Sequence, residues 1–285
     1  MSLTLRNAEP GDAAVCGDIL YRAFKSLADR HGFPPDFPSV EAGQRVMAML
    51  TAHPGVYGVV AEDDGRIIGS NFADQRSPVI GVGPISVDPE TQNQGVGRAL
   101  MQAMVDHFVG RNVSGIRLLQ AAYHNRSLCL YSATGFQTRE PISLLSGPPL
   151  GISFPGYDVR PATAADVGGC NALCRRIHGF DRDGELRDAI AVGTATVVAH
   201  LGRITGYVTE VGFRGHGVAA TNRGLMALLG AAPAVSGAGF LLPTRNHEVF
   251  AWCLEQKWRL VMQMTLMTIG LYNEPLGAWL PSILY

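Results

Sequence analysis

Two stretches of the 285-residue chain, separated by about half its length, carry the same residues at the same spacing. The first runs from Arg6 to Cys16 and the second from Arg160 to Cys170, with Arg, Ala, Asp and Cys at matching positions. A second pair of stretches, 59–69 and 197–206, follows in the same order. Each of these has the pattern of two apolar strands joined by a glycine-containing turn. Two matches in the same order predict a pair of duplicated domains.

The turn-rich segment 146–151, Ser-Gly-Pro-Pro-Leu-Gly, has the composition of a linker between the copies. We therefore expect one domain over residues 1–148 and another over residues 156–285. The predicted fold class is α/β (α+β mixed), in which each domain is a twisted mixed β-sheet flanked by helices. In each copy an aspartate, Asp12 or Asp166, is predicted to cap the helix that follows the first strand.

Composition favours a small-molecule partner over a polymer or a membrane. The formal net charge is -1 and charged residues make up 16% of the chain, with no run of like charges that would bind nucleic acid. No apolar stretch approaches the ~20 residues that span a bilayer, and the N-terminal residues lack the apolar segment of a secretory signal. Five irregularly spaced cysteines are typical of reduced thiols. We expect a cytoplasmic protein, a monomer or a homodimer.

The segment 82–100 is the most informative part of the sequence. A short apolar strand ends at Asp88-Pro89, and an amphipathic helix is predicted from about Arg98, with apolar residues at helical spacing. Gly95 and Gly97 stand where the strand turns into the helix. The first turn of a helix has unpaired N–H groups and the positive end of its dipole, so it attracts phosphate. Glycines leave that backbone open to close approach by a pyrophosphate.

Other phosphate motifs fit this segment poorly. A dinucleotide-binding fold needs G-x-G-x-x-G, and a nucleoside-triphosphate loop needs a lysine after its last glycine; the sequence here is Gln92-x-x-Gly95-x-Gly97. On the glycines alone, a tight structural loop is the alternative interpretation.

Gln92, Gly95 and Gly97 match the signature Q/R-x-x-G-x-G/A of the GNAT superfamily of acyl-CoA-dependent N-acetyltransferases, which lies between the fourth strand and the third helix. A second GNAT pattern, a strand end, Asn, a helix with Tyr and then Gly-Phe, resembles residues 123–136. The resemblance covers residues 1 to about 145. It implies an acyltransferase that transfers acetyl from acetyl-CoA to a primary amine by direct attack.

The resemblance also assigns site residues. Tyr131 is the implied general acid that protonates the departing CoA thiolate. Backbone amides of the loop would hold the pyrophosphate, strand residues would pair with the pantetheine arm, and Asn125 would bind the pantetheine region. The implied cofactor-binding residues are Ile85, Ser86, Val87, Gln92, Asn93, Gln94, Gly95, Val96, Gly97, Arg98, Ala99 and Asn125. Each has a structural alternative: Asn125 as a helix cap, Tyr131 as a packed aromatic, Gln92 as a solvated loop residue.

The general base and the acceptor amine stay open at this point. Asp74 and Asp88 are near the expected site, although Asp88 in Val-Asp-Pro suits a turn cap better. The segment 24–40, which contains His31, Phe33 and Asp36, is expected to wall the acceptor pocket or to pack as a surface loop. A more speculative hypothesis takes the carboxylate of Tyr285 as the base.

The second copy keeps the scaffold pattern and lacks the signature of the first. No Gln/Arg-x-x-Gly-x-Gly precedes the predicted helix that opens at Ala220, and Trp252 or Cys253 stands where Tyr131 stands in the first copy. We expect a degenerate, non-catalytic domain. Cys170, Cys174 and His178 recur every four residues and suggest a metal site, but a core-facing stripe explains them better, so no metal is expected.

Two further functions are compatible with the sequence. One is a CoA-binding sensor or partner-binding module without turnover, and the other is transfer of a longer acyl chain.

Overall fold

A computed structural model describes residues 2–111 and 113–284. The elements before residue 134 form the order expected for one mixed domain. They are β1 (Leu3–Asn7), α1 (Ala13–His31), α2 (Val40–Ala52), β2 (Val56–Asp63), β3 (Arg66–Asp74), β4 (Val79–Val87), α3 (Val96–Phe108), β5 (Gly115–Ala121) and α4 (Asn125–Ala133).

The same kinds of element recur in the rest of the chain. They are β6 (Gln137–Ser146), β7 (Tyr157–Pro161), α5 (Val167–His178), α6 (Asp183–Ala191), β8 (Thr196–His200), β9 (Arg203–Val208), β10 (Gly217–Ala219), α7 (Asn222–Ala231), β11 (Phe240–Pro243), α8 (His247–Glu255), β12 (Arg259–Gly270) and β13 (Ala278–Leu280). The mixed α/β class predicted from the sequence is confirmed.

The described residues form two compact units, and neither is continuous in sequence. The first contains the chain up to Thr138, with Met267–Gly270 and Leu284; the second contains Arg139–Leu266 and Leu271–Ile283. The expected ranges 1–148 and 156–285 differ from this division. Residues 139–148, expected in the first domain, belong to the second unit. They do so because β6 pairs antiparallel with β11, with Ile142 opposite Pro243.

In the first unit, strands β1 to β5 lie side by side in the sheet in the same order as in the sequence. Met267–Gly270 of β12 forms the next strand beside β5. All pairs from β1 to β4 are antiparallel, and β4 pairs with β5 in parallel. Helix α3 packs on this sheet. The apolar residues that predicted it are all buried: Leu100, Met101, Met104, Val105 and Phe108.

In the second unit, β7, β8, β9, β10 and β13 form one sheet in that spatial order, and β6 pairs with β11. The segment expected to be a linker packs inside this unit. The indole N–H of Trp258 donates to the carbonyl of Pro148 at 2.8 Å, and the N–H of Ile152 donates to the carbonyl of Gly230 at 2.8 Å. These bonds hold the turn-rich segment against the unit's core.

The internal repeat is confirmed at the level of individual contacts. Arg6 holds Asp12 through two bonds of 2.7 and 2.9 Å, and Arg160 holds Asp166 through two bonds of 2.8 and 2.7 Å. Neither carboxylate caps the long helix that follows. Each instead accepts from the backbone N–H three residues earlier and closes a single 3-10 turn, because the arginine fixes its orientation.

Gly81 in β4 lies directly under the backbone of Leu284. A Cβ added to Gly81 would stand 1.5 Å from the Leu284 carbonyl oxygen, and the Leu284 side chain packs on the apolar cluster that includes Val60 and Phe72. Position 81 therefore accepts only glycine while Leu284 keeps its place. Tyr285, named above as a speculative base, lies outside the described residues.

We expect Gly81→Ala to destabilise the protein by about 1–3 kcal/mol, because the methyl group must displace the Leu284 backbone or the strand. Chemical denaturation followed by circular dichroism measures the loss. Gly11→Ala is the matched control, since its Cβ would meet no described atom within 4 Å. Equal stability of the two variants would contradict the close packing of Leu284.

Candidate functional site

The first unit's sheet opens where its two parallel strands separate. The parallel register of β4 with β5 runs from Val79 to Gly81 in the described structure, whereas β4 pairs with β3 as far as Val87. The N–H of Asp88 donates to the carbonyl of Ile68 at 2.8 Å, so Asp88 and Ile68 are a hydrogen-bonded pair of the antiparallel ladder. Because bonding alternates along antiparallel strands, the backbone groups of Ile85 and Val87 point away from β3, towards the opening.

Helix α3 begins at this opening without a side-chain cap. Gly95 precedes it in the left-handed conformation, with φ at 87°, and accepts the first helical bond from the N–H of Ala99 at 3.0 Å. The amides of Val96, Gly97 and Arg98 come before that bond, so the helix offers them no carbonyl partner. The Ala99 N–H is already bonded within the helix. Fewer backbone amides can therefore donate to a pyrophosphate than the sequence predicted.

Gly97 lines the gap between β4 and α4. A Cβ at Gly97 would be 3.6 Å from Cδ2 of Leu130 and 3.7 Å from Cγ2 of Val87. The side-chain amide of Gln92 lies 3.5 Å from the Val87 carbonyl oxygen, at the same end of the strand. Glycine at position 97 therefore keeps a narrow slot open between the strand end and the helix.

The remaining loop residues have separate environments. Asn93, Gln94 and Arg98 are exposed, and Asn93 takes a left-handed conformation with φ at 68°. Ser86 is buried, with its hydroxyl 3.4 Å from that of Ser70. The Ser86 side chain is therefore closed to a ligand. Its backbone groups point towards β3 and away from the opening, so they do not face a ligand either.

Arg22 of α1 holds the start of the loop in place, which the sequence did not indicate. Its guanidinium contacts both carboxylate oxygens of Asp88 at 3.0 and 3.1 Å, and Asp88 also accepts from the N–H of Glu90 at 3.1 Å. The hydrogen bond from Arg22 holds the pKa of Asp88 below its usual value. Asp88 is thus a structural anchor and a poor base. Asp74 is similarly engaged by Arg76, at 3.0 Å.

Helix α4 carries the predicted acid on its inner side. Tyr131 is buried, and its ring packs against Phe136 with centroids 6.2 Å apart. Burial raises the pKa of the Tyr131 phenol, so it stays protonated and able to donate at neutral pH. Asn125 is the exposed first residue of α4, and His124 precedes it at the cap position.

The end of α1 and the connection that follows it pack against Tyr123, two residues after β5. The rings of Phe33 and Tyr123 stack with centroids 4.3 Å apart, and His31 lies 5.0 Å from Tyr123. Asp36 lies in the same connection. Burial raises the pKa of the Asp36 carboxyl to about 6, and burial together with the Asp36 charge raises the pKa of Tyr123 to about 12. Tyr123 follows the carboxyl end of β5, at the open edge of the parallel pair.

The corresponding helix start in the second unit is occupied by its own side chains. The hydroxyl of Thr221 accepts from the N–H of Gly224 at 3.1 Å, which caps α7. The side-chain amide of Asn222 donates to the carboxylate of Glu248 at 2.6 Å, so a negative charge lies near the same turn. Only two residues separate β10 from α7, whereas eight separate β4 from α3. An anion therefore finds one amide fewer and a shorter loop here than at the start of α3.

The second unit also lacks a phenol at the position of Tyr131. In α8, Trp252 packs against Trp258 with ring centroids 5.9 Å apart, and Cys253 is fully buried in the core. Asn246 caps α8 by accepting from Val249 at 3.4 Å. The residues of this copy are therefore committed to packing and capping.

Cys170, Cys174 and His178 are buried on one side of α5. In the part of the chain that the structure describes, no group of three or more His, Cys, Asp or Glu residues is arranged to hold a metal ion. Across residues 2–111 and 113–284, no helix is both long and apolar enough to cross a membrane.

Residues 54–138 match the family described as the acetyltransferase (GNAT) domain. Mycothiol acetyltransferase of Kocuria rhizophila is 31% identical over 85 residues, which are 28% of this chain and 28% of that protein. The chain thus matches less than a third of that relative's length. The match to the acetyltransferase (GNAT) family concerns residues 54–138, which lie in the first unit.

Solved structures match the fold over nearly the whole chain. A protein of the acetyltransferase class from Pyrococcus horikoshii has a TM-score of 0.75 at 18% identity and covers 98% of this chain and 94% of its own. A GCN5-related N-acetyltransferase from Sphaerobacter thermophilus has a TM-score of 0.60 at 15% identity, with 95% and 96% covered. A tandem GNAT protein from the clavulanic acid biosynthesis pathway has a TM-score of 0.58 at 14% identity, with 95% and 100% covered. At these identities the likeness concerns the fold.

Proposed function

We propose that the first unit transfers an acetyl group from acetyl-CoA to a primary amine by direct attack. The observation that carries this proposal is the uncapped start of α3, which presents the amides of Val96, Gly97 and Arg98 at the point where β4 and β5 separate. Free amides at the positive end of a helix dipole bind phosphate. A pyrophosphate followed by an extended arm suits this combination of helix start and open strand edge.

The residues present fit acetyl-CoA on three counts. The amides before Ala99 would hold the pyrophosphate, with Asn93, Gln94 and Gly95 shaping the loop around it. The outward backbone groups of Ile85 and Val87 would pair with the pantetheine amides, as an added strand does. The slot at Gly97, between Val87 and Leu130, would admit the arm, and Asn125 at the rim would bind its polar groups.

Acetyl-CoA supplies the activated acyl group as a thioester. The Val87 N–H points into the opening, where it would donate to the carbonyl oxygen as negative charge develops on it. The buried phenol of Tyr131 would give its proton to the departing sulfur. The amine nitrogen forms a bond to the acyl carbon, the carbon–sulfur bond breaks, and Tyr131 regains a proton from the nitrogen as the amide forms.

We propose that the second unit is a non-catalytic partner domain. Thr221 satisfies an amide at the start of α7, and Glu248 places a negative charge near it. Both features oppose phosphate binding. The absence of a phenol in the place of Tyr131 removes the acid as well.

Calorimetric titration of the full chain with acetyl-CoA tests both proposals. We expect one site per chain, because only α3 begins without a side-chain cap among the two corresponding helices. A thiol-release assay with amines then measures turnover. Two sites would contradict the assignment of the second unit, and an absence of binding would contradict acetyl transfer altogether. One site without release of thiol for any amine would leave a CoA-binding sensor as the function.

A further inference from the structure

The second unit contains a split between strands that corresponds to the opening between β4 and β5. Gly212 and Ser236, which precede β10 and β11, form a parallel bridge, and the N–H of Ser236 donates to the carbonyl of Val211 at 2.9 Å. Beyond this bridge the two strands take different partners, because β10 pairs with β9 and β13 whereas β11 pairs with β6. The segments that lead into β10 and β11 therefore start together and then separate, as β4 and β5 do in the first unit.

The C-terminal strand β13 lies in this split. It pairs antiparallel with β10, with Val218 opposite Trp279, and it packs with β11 in the same apolar cluster. The chain then continues to the base of the split, where the N–H of Ile283 donates to the carbonyl of Phe213 at 2.9 Å. The C-terminal segment thus follows β10 along the whole length of the split.

Strand β13 pairs with the backbone groups of β10 that face away from β9. The N–H of Thr209 donates to the carbonyl of His216 at 2.8 Å, so Thr209 and His216 are a hydrogen-bonded pair of the β9–β10 ladder. Because bonding alternates along antiparallel strands, the backbone groups of Gly217 and Ala219 point towards β13. Residues of β13 lie opposite both of them, so these groups already have partners.

Gly217 and Ala219 correspond to the strand residues that we propose for the pantetheine arm in the first unit. The internal repeat aligns Gly69 with Gly206. Val87 lies opposite Gly69 in β3, and Ala219 lies opposite Gly206 in β9; the residues two positions earlier in β4 and β10 match in the same way. The backbone groups that face the opening in the first unit are therefore paired with β13 in the second.

Contacts on both sides of β13 hold the segment in this place. Before the strand, the N–H of Leu276 donates to the carbonyl of Ile177 at 3.0 Å. After it, the guanidinium of Arg182 donates to the hydroxyl of Ser282 at 3.1 Å, and both of these side chains are buried. The residues of β13 itself are also buried. A ligand must therefore displace this segment before it can reach the edge of β10.

We propose, resting on the function proposed for the first unit, that β13 takes the place of a pantetheine arm in the second unit and keeps a latent acyl-CoA site closed. A pantetheine arm is an extended chain with amide groups, and β13 offers the amides of an extended chain to the same strand edge. The Thr221 cap opposes a pyrophosphate at the start of α7, and β13 excludes the arm that would follow it. Two separate obstacles thus close the second copy.

Calorimetric titration of full-length variants with acetyl-CoA tests this proposal. Thr221→Ala with Glu248→Gln removes only the obstacle at the helix start, so we expect it to add no site while β13 is paired. Adding Ala278→Pro and Leu280→Pro removes the N–H groups that β13 presents to β10, and one further acetyl-CoA site per chain should then appear. Leu276→Ala in place of the two prolines is the matched tail substitution, because its side chain is 83% exposed, and it should add no site.

The stoichiometries decide between the possible results. A further site in the variant that keeps β13 paired, or with Leu276→Ala, would show that β13 does not close the split. The proposal is also overturned if the proline variant gains no site while its circular dichroism spectrum matches that of the unmodified protein. If the prolines change the spectrum, hydrogen exchange of the unmodified protein decides.

Amide hydrogen exchange depends on no substitution. The N–H groups of Gly217 and Ala219 should exchange slowly with or without acetyl-CoA, because β13 accepts from them. The N–H of Val87 should exchange at least about tenfold more slowly once acetyl-CoA binds. Exchange of Ala219 as fast as that of Val87 in the cofactor-free protein would overturn the role of β13. If acetyl-CoA leaves Val87 unchanged, the function proposed for the first unit fails instead, while Gly217 and Ala219 still report on β13.

Discussion

Gly95→Trp is expected to weaken acetyl-CoA binding by about 100-fold or more, equivalent to about 3 kcal/mol. Gly95 has φ at 87°, which an L side chain rarely adopts, and its Cβ would project from the start of α3, where the free amides lie. The indole would occupy the space of the pyrophosphate and strain the loop that shapes it. Calorimetric titration with acetyl-CoA measures the loss.

Gly110→Trp provides a control with the same backbone conformation. Gly110 follows the other end of α3, has φ at 83°, and its Cβ would meet no described atom within 4 Å. Any general effect of strain should appear in both variants, whereas the loss of binding should be confined to Gly95→Trp. Similar binding by the two variants would contradict a pyrophosphate site at the start of α3.

Tyr131→Phe is expected to lower kcat by about 100- to 1000-fold with little change in acetyl-CoA affinity, because it removes the proton donor and keeps the ring. The ring packs against Phe136 within the core, so the phenylalanine variant should remain folded. Burial keeps the phenol protonated, which is the state that a general acid needs. A thiol-release assay at saturating amine gives kcat, and calorimetry gives the affinity.

Tyr57→Phe is the control for Tyr131→Phe, because it removes a phenol hydroxyl elsewhere in the same unit. Its hydroxyl donates to the side chain of Asn7 at 3.3 Å on the surface of the same unit, so removing it should leave kcat unchanged. Weaker acetyl-CoA binding with normal kcat in Tyr131→Phe would show that Tyr131 binds the cofactor and does not donate a proton.

The repeated residues and the glycine-rich turn carried most of the fold prediction because they are local in sequence. The repeat from Arg6 to Asp12 closes within seven residues, and the turn at Gly95 and Gly97 depends on its own backbone conformation. Such features leave a pattern that the sequence alone exposes. The helix after the turn was predictable for the same reason, since its apolar face repeats at helical spacing.

Features that depend on distant partners could not be predicted in this way. Arg22 anchors Asp88 across 66 positions, and no local pattern marks either residue as the other's partner. The unit boundaries failed to follow the linker because β6 pairs with β11, about a hundred residues later.

The cap at Thr221 has a consequence for how the protein responds to its cofactor. A hydroxyl that is part of the chain is always present at its amide, so a free anion must displace it before binding there. Because this hydroxyl occupies an amide at the second helix start, we expect a single cofactor site among residues 2–111 and 113–284. For a monomer, saturation by acetyl-CoA should therefore follow a simple hyperbola, and the duplicated gene product should behave as a single-site catalyst.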